Sequence, residues 1–96
     1  MSFRVRHRPH FARQLRAWNL PVGVQIDVRL ALDRLAQNPG ELLRRVTEPF
    51  DGMTYTFPVV DSDNRVYGYV FTFHVRYGAD EETLWVVKGG YERVAL

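Results

Sequence analysis

Hydrophobic and polar residues alternate from Phe3 to Arg8. Phe3, Val5 and His7 point one way and Arg4, Arg6 and Arg8 the other. This pattern predicts a short strand with one charged face, and such charges guard a sheet edge against wrong pairing. The period then changes. Pro9 suits the first turn of a helix, where its missing N–H costs nothing. Phe11, Leu15 and Trp18 follow at i, i+4 and i+7 as one apolar stripe, with Arg13 and Arg16 outside it. This helix is expected to stop near Asn19. A second starts at Pro21, turns Val24, Val28, Ala31, Leu32 and Leu35 toward the core, and ends at Asn38-Pro39-Gly40. The short connection makes the pair a helical hairpin. Leu42 and Leu43 supply a short turn or a second apolar contact.

Period two returns after a loop from Glu48 to Gly52. Met53, Tyr55, Phe57 and Val59 alternate with Thr54, Thr56, Pro58 and Val60. Asp61-Ser62-Asp63-Asn64 reads as a turn. A long strand follows, with Tyr67, Tyr69, Phe71, Phe73, Val75 and Tyr77 on one face and Gly68, Val70, Thr72, His74 and Arg76 on the other. After a turn from Gly78 to Glu82, a last strand runs from Thr83 to Lys88, and Gly89-Gly90 ends it. Tyr91 to Leu96 is left unassigned. The order predicts a single α+β domain over residues 1–96. It has an N-terminal strand, a helical hairpin, then a three-stranded antiparallel meander with the helices packed on one face of the sheet.

Hairpins centred near Asp80 and Asp63 set a register. Val75 then opposes Trp85, Phe73 opposes Val87, His74 opposes Val86 and Thr72 opposes Lys88. Tyr55 opposes Phe71, and Thr54 opposes Thr72. On this register Tyr55, Phe57, Tyr69, Phe71, Phe73 and Trp85 form a core wall. The other face gathers Thr54, Thr56, Thr72, His74, Arg76 and Lys88, with Val70, Leu84 and Val86 among them. A one-residue slip would exchange the two faces.

The chain has 96 residues, the size of one compact domain, and 46% of them are hydrophobic, which excludes a disordered chain. With no cysteine, disulfides, thiolate metal sites and a cysteine nucleophile are excluded. The N-terminus lacks an apolar signal-peptide region and no apolar run is long enough to span a membrane, so a cytoplasmic location is expected. Residues 1–48 hold nine basic and four acidic groups, net +5, and residues 49–96 hold four basic and seven acidic groups, net −3. All the basic residues but Lys88 are arginine, which forks onto phosphates and carboxylates. Such a half either carries solvated guanidinium groups or meets an acidic partner, nucleic acid or protein.

No cofactor or metal is expected. Asp61-x-Asp63-Asn64 starts like a calcium loop but has Val66 and Thr72 where glycine and glutamate are needed. His7 and His10 have no third ligand nearby in sequence. His74 is the residue of chemical interest, since an imidazole trades protons near neutrality. Lys88 lies diagonally from it on this register, and Arg76 stands two residues along the same face.

The order of elements resembles the RelE/ParE toxin superfamily of bacterial toxin–antitoxin pairs. The likeness rests on Phe11-Ala12-Arg13-Gln14-Leu15, Leu35-Ala36-Gln37-Asn38-Pro39, Gly52-Met53-Thr54-Tyr55, Tyr67-Gly68-Tyr69-Val70-Phe71 and Gly89-Gly90-Tyr91-Glu92-Arg93. It implies a cognate antitoxin that wraps the toxin. It also implies one of two activities: ribosome-dependent, metal-free mRNA cleavage, or non-enzymatic poisoning of DNA gyrase. A degenerate toxin that only binds its antitoxin is a further alternative. Where RelE-like nucleases carry a central-strand arginine this chain has Val70, and Tyr55-Thr56 replaces the usual Tyr-Arg. The expected function is a ribosome-dependent endoribonuclease toxin. His74 serves as base or acid, Lys88 and Arg93 hold the phosphate, and Tyr91 stacks or donates. Arg13, Arg16, Arg65 and Arg76 are the nucleic-acid-binding candidates.

Overall fold

The computed structural model describes residues 2–46, 52–61 and 66–96. Most of the Glu48–Gly52 loop, most of the Asp61–Asn64 turn and the candidate Arg65 lie outside the described residues. The elements are β1 (Arg4–His7), α1 (Pro9–Ala17), α2 (Val22–Gln37), α3 (Pro39–Leu42), β2 (Arg44–Val46), β3 (Gly52–Val60), β4 (Tyr67–Tyr77) and β5 (Thr83–Ala95). The fold is α+β: the described residues form a five-stranded mixed sheet in the order β1-β5-β4-β3-β2 with three helices. Two strands border β3, β4 and β5: β1, which the alternation also predicts, and β2, which it does not. The charged strand β1 lies at one edge, parallel to β5 with Val5 beside Leu84. The three-residue β2, which is too short to show a period, takes the other edge against β3.

Helix boundaries follow local chemistry. Pro9 opens α1, and the chain leaves it through Trp18 and Asn19, the latter at φ 48°. Asparagine tolerates that left-handed conformation better than most side chains. Gln25 closes the corner, its Nε2 donating to the Leu20 carbonyl at 2.7 Å. In α2, Val24, Val28, Ala31, Leu32 and Leu35 are all buried, as their spacing predicts. These residues share one core with Phe11, Tyr55, Phe57, Phe71 and Phe73. Phe11 meets Phe73 edge-on with ring centroids 4.8 Å apart, and the Tyr55 hydroxyl donates to the Ala31 carbonyl at 2.9 Å. That burial raises the Tyr55 pKa, with Arg34 opposing the shift.

The strand register differs from expectation in two ways. Between β3 and β4, Tyr55 opposes Phe73 and Thr56 opposes Thr72. This is a two-residue offset, so each residue keeps its face. Between β4 and β5 the turn end is offset by one: Tyr77 opposes Leu84, Arg76 opposes Trp85 and Val75 opposes Val86. Leu84 and Val86 therefore enter the core, fully buried, and Trp85 turns to the outer face. Burying each aliphatic side chain contributes about 1.5–3 kcal/mol. Trp85 in turn gains an Arg8 guanidinium over its ring at 4.1 Å, a contact worth about 0.5–1 kcal/mol at an exposed site.

The ladder then skips a residue. Val75 opposes Val86 while His74 opposes Lys88, which leaves Val87 as a bulge. Just past it, the Gly89 N–H donates to Gln14 Oε1 of α1 at 2.9 Å. Gly89 and Gly90 do not end the strand, contrary to expectation, because β5 continues to Ala95 and pairs with the first half of β4. A Cβ on Gly89 would lie 2.6 Å from Phe73 Cδ1 and 3.0 Å from Phe11 Cε1, so glycine here is set by ring packing. Around Gly90 there is nothing within 4 Å of such a Cβ.

Gly89→Ala is expected to destabilise the protein by about 1–3 kcal/mol, the usual cost of overpacking. Gly90→Ala is expected to be neutral or slightly stabilising. Paired urea denaturation curves read the difference. Gln14→Leu strands the Gly89 N–H and is expected to cost about 1–3 kcal/mol in the same measurement.

Candidate functional site

Two cross-strand rows on the outer face of the sheet hold the chemistry. The first runs Arg6–Trp85–Arg76 across β1, β5 and β4. The second runs Lys88–His74–Thr54 across β5, β4 and β3. Neither row contains a carboxylate. Arg8, at the N-cap of α1, lies over Trp85 and joins the first row. Beside the second row, Thr56 and Thr72 place their hydroxyls 3.3 Å apart. Arg44 opposes Thr54 at the β2 edge, but its guanidinium donates to the Glu41 and Leu43 carbonyls instead.

The bulge is what makes Lys88 and His74 direct neighbours, where the sequence register has them diagonal. Directly opposed side chains on one face have Cβ atoms about 4.5–5.5 Å apart. Burial lowers the His74 pKa from its ordinary 6.5, and the Lys88 ammonium lowers it further. The Nδ1 atom of the ring is buried. Near neutral pH the imidazole is therefore a proton acceptor held beside a fixed cation. His7, on the helix side of β1, is also lowered by burial.

The turn that carries β5 is separately anchored. Asp80 accepts the backbone N–H groups of Glu82 and Thr83 at 3.0 Å each and the Thr83 hydroxyl at 2.8 Å. These donors and Arg4 hold its carboxyl below the ordinary 3.8. Arg4 approaches Asp80 and Glu82 at 3.8 and 4.0 Å, so its charge is turned to the protein's own carboxylates.

The residues expected from sequence divide into groups. His74 and Lys88 meet, with Arg76 two residues along β4. Tyr91 and Arg93 lie on the helix side of the sheet instead. Tyr91 packs against Trp18 and Phe71 at ring distances of 5.1 and 5.5 Å, and Arg93 covers Tyr67 at 4.2 Å. These two cannot share a phosphate with His74. Arg13 and Arg16 are exposed on α1, away from the outer face. Arg16 lines a groove of about 770 Å³ with Leu15, Val22, Ile26 and Arg29. The sequence reading assigns Arg6 and Arg8 to edge protection and Trp85 to the core. The usable signal was Leu84 and Val86, two aliphatic residues flanking Trp85 that compete with it for the core face.

The chain matches no family model, no curated protein and no solved structure. Among the described residues, no three His, Asp or Glu side chains are grouped so as to hold a metal ion. None of the described helices is long and apolar enough to cross a membrane.

The His74 pKa is expected below 6.5 by NMR titration, and Lys88→Gln is expected to raise it part of the way back, since burial remains. A depressed histidine pKa means that the unfolded chain takes up the proton first. The stability linked to His74 is thus fully present above about pH 6.5 and is lost as pH falls through the folded-state value. Urea denaturation across that range reads the slope, which His74→Gln is expected to flatten.

Proposed function

We propose that this chain is the toxin of a toxin–antitoxin pair in the bacterial cytoplasm, cleaving mRNA on the ribosome through the outer face of its sheet. The reading also takes the helical hairpin as covering one face of a β3–β4–β5 meander, in the RelE/ParE manner. The observation that carries it is His74 set against Lys88, with Arg76 alongside and no carboxylate in either row. RNA cleavage of this type needs a base for the 2′-hydroxyl and positive charge for the phosphorane. His74 takes the 2′-hydroxyl proton as the 2′-oxygen bonds to phosphorus. Lys88 and Arg76 stabilise the phosphorane. The bond to the 5′-oxygen breaks on the opposite side of phosphorus, the leaving oxygen takes a proton from solvent and His74 releases its own to solvent, leaving a 2′,3′-cyclic phosphate and a 5′-hydroxyl.

A partner surface is also available for the antitoxin. Val22, Ile26 and Leu30 recur every four residues on α2 and are 71%, 55% and 46% exposed, and Val22 and Ile26 face the groove beside Arg16 and Arg29. An acidic, amphipathic segment fits that lining.

The non-enzymatic alternative, a gyrase poison or a toxin that only binds its antitoxin, has its own support. Val70 stands where the family's nucleases carry arginine, and Tyr91 and Arg93 face away from His74. Expression of the chain from a tightly controlled promoter separates the two. Growth arrest with codon-phased mRNA 5′ ends is expected. Arrest with DNA breaks identifies gyrase poisoning instead, and no arrest at all overturns the nuclease reading and points to a degenerate toxin or an unrelated binder. His74→Ala is expected to slow cleavage by about 100-fold or more, the usual contribution of a general base. Full activity in that variant rules out His74 as the base.

A further inference from the structure

Trp85 is the one large aromatic side chain in the two basic rows, and the nuclease reading gives it no task. It stands between Arg6 on β1 and Arg76 on β4, under the Arg8 guanidinium. We propose that Trp85 is a base-stacking seat, so that the ligand of this face is single-stranded RNA. The proposal rests on the RNA reading above and adds the strandedness and the path of the substrate.

The Arg8 guanidinium carbon lies over the indole at 4.1 Å, which shows that this face of the ring accepts a group, and Arg8 is exposed at the start of α1. A nucleobase takes its place on the ring, and Arg8 moves to the adjoining phosphate. Stacking of this kind needs an unpaired base, whereas a duplex hides its base faces. From the Arg76–Trp85 row to the His74–Lys88 row is two residues along β4, about 6.6 Å at the rise of a strand. That is a step of about one extended nucleotide. A base on Trp85 therefore delivers a neighbouring phosphate to His74 and Lys88. Lys88 and Arg76 meet one phosphate and Arg6 and Arg8 two others along the path, so affinity is expected to fall with salt at a log–log slope of roughly −2 for three neutralised phosphates.

The test uses a labelled uridine dodecamer and an RNA duplex of the same length, with binding read by fluorescence anisotropy. The wild-type protein is expected to bind the single strand at least tenfold tighter than the duplex and to lose part of its tryptophan fluorescence on binding. The sequence has two tryptophans, and Trp18 lies against the core. Trp85→Leu keeps bulk without a ring and is expected to weaken binding about tenfold or more, as loss of one base stack does. Trp85→Phe is expected to hold affinity within a few-fold while the quenching disappears. Circular dichroism melts establish that both variants fold, and Arg8→Ala, at an exposed position, is expected to lower the salt slope by about 0.7. Equal affinity for duplex and single strand, or a folded Trp85→Leu that binds like the wild type, overturns the seat. If Trp85→Leu binds normally while His74→Ala abolishes cleavage, the seat fails and the nuclease reading stands. If the single strand binds through Trp85 but mRNA is not cut on the ribosome, the nuclease reading fails and the seat stands.

Discussion

The Gly89 N–H, donated to Gln14 of α1, sits beside the extra residue Val87, and the two faces of β5 depend on this short stretch. On the turn side of the bulge, even-numbered residues of β5 face the core, so Leu84 and Val86 are buried. Beyond it the odd-numbered residues do, so Gly89 meets Phe73 and Phe11 and Tyr91 meets Trp18. Without the skipped residue, one of the two halves would present its polar side to the core. The side-chain acceptor from α1 satisfies an N–H beside the break in the ladder, and a buried backbone donor left alone is costly. Helix and strand are thereby fixed to each other at the point where the strand changes parity.

The same break creates the chemistry of the outer face. Lys88 comes level with His74 instead of lying diagonal to it, and Trp85 leaves the core for the side where Arg6, Arg8 and Arg76 stand. Burial and Lys88 act on His74 in one direction, both favouring the neutral ring. The proposed RNA chemistry would use a base and a cation side by side, and the neighbouring ammonium favours the unprotonated ring. The bulge thus serves the core and the candidate site through one geometric change.

Long periodic segments were legible in the sequence. The two helices, their buried positions and the odd-numbered faces of β3 and β4 follow from the spacing of Phe11, Val24, Val28, Tyr55 and Phe73, where apolar residues recur without competition. The two-residue offset between β3 and β4 did no harm, since side chains alternate with period two. β5 was legible as a strand from Thr83, but its faces were not, for the same reason in reverse. In Thr83-Leu84-Trp85-Val86-Val87-Lys88 both parities are apolar, so neither face is marked, and a bulge leaves no signal in the alternation itself. Gly89-Gly90 looked like a terminator because glycine weakens strands, whereas here the small residue is required by two phenyl rings. Gln14 lies seventy-five positions from its partner, and nothing local announces that contact.

The candidate site was half legible, and the division has a physical cause. His74 and Arg76 belong to β4, whose faces are unambiguous, so their placement on the outer face follows from alternation alone. Lys88, Tyr91 and Arg93 belong to β5, where each position depends on which side of Val87 it falls. Lys88 is the first residue past the bulge and shares the outer face with Gly90 and Glu92, while Tyr91 and Arg93 share the inner face with Gly89. Four residues expected to converge when the tail is left unassigned are therefore split by a continuous strand. The split removes an aromatic and a guanidinium from the neighbourhood of His74. The one-residue offset on the turn side supplies the same two chemical types from elsewhere, Trp85 and Arg8, in contact with each other. A ring and a forked cation beside a neutral imidazole thus arise on the outer face from residues that sequence alternation had assigned to the core and to edge protection.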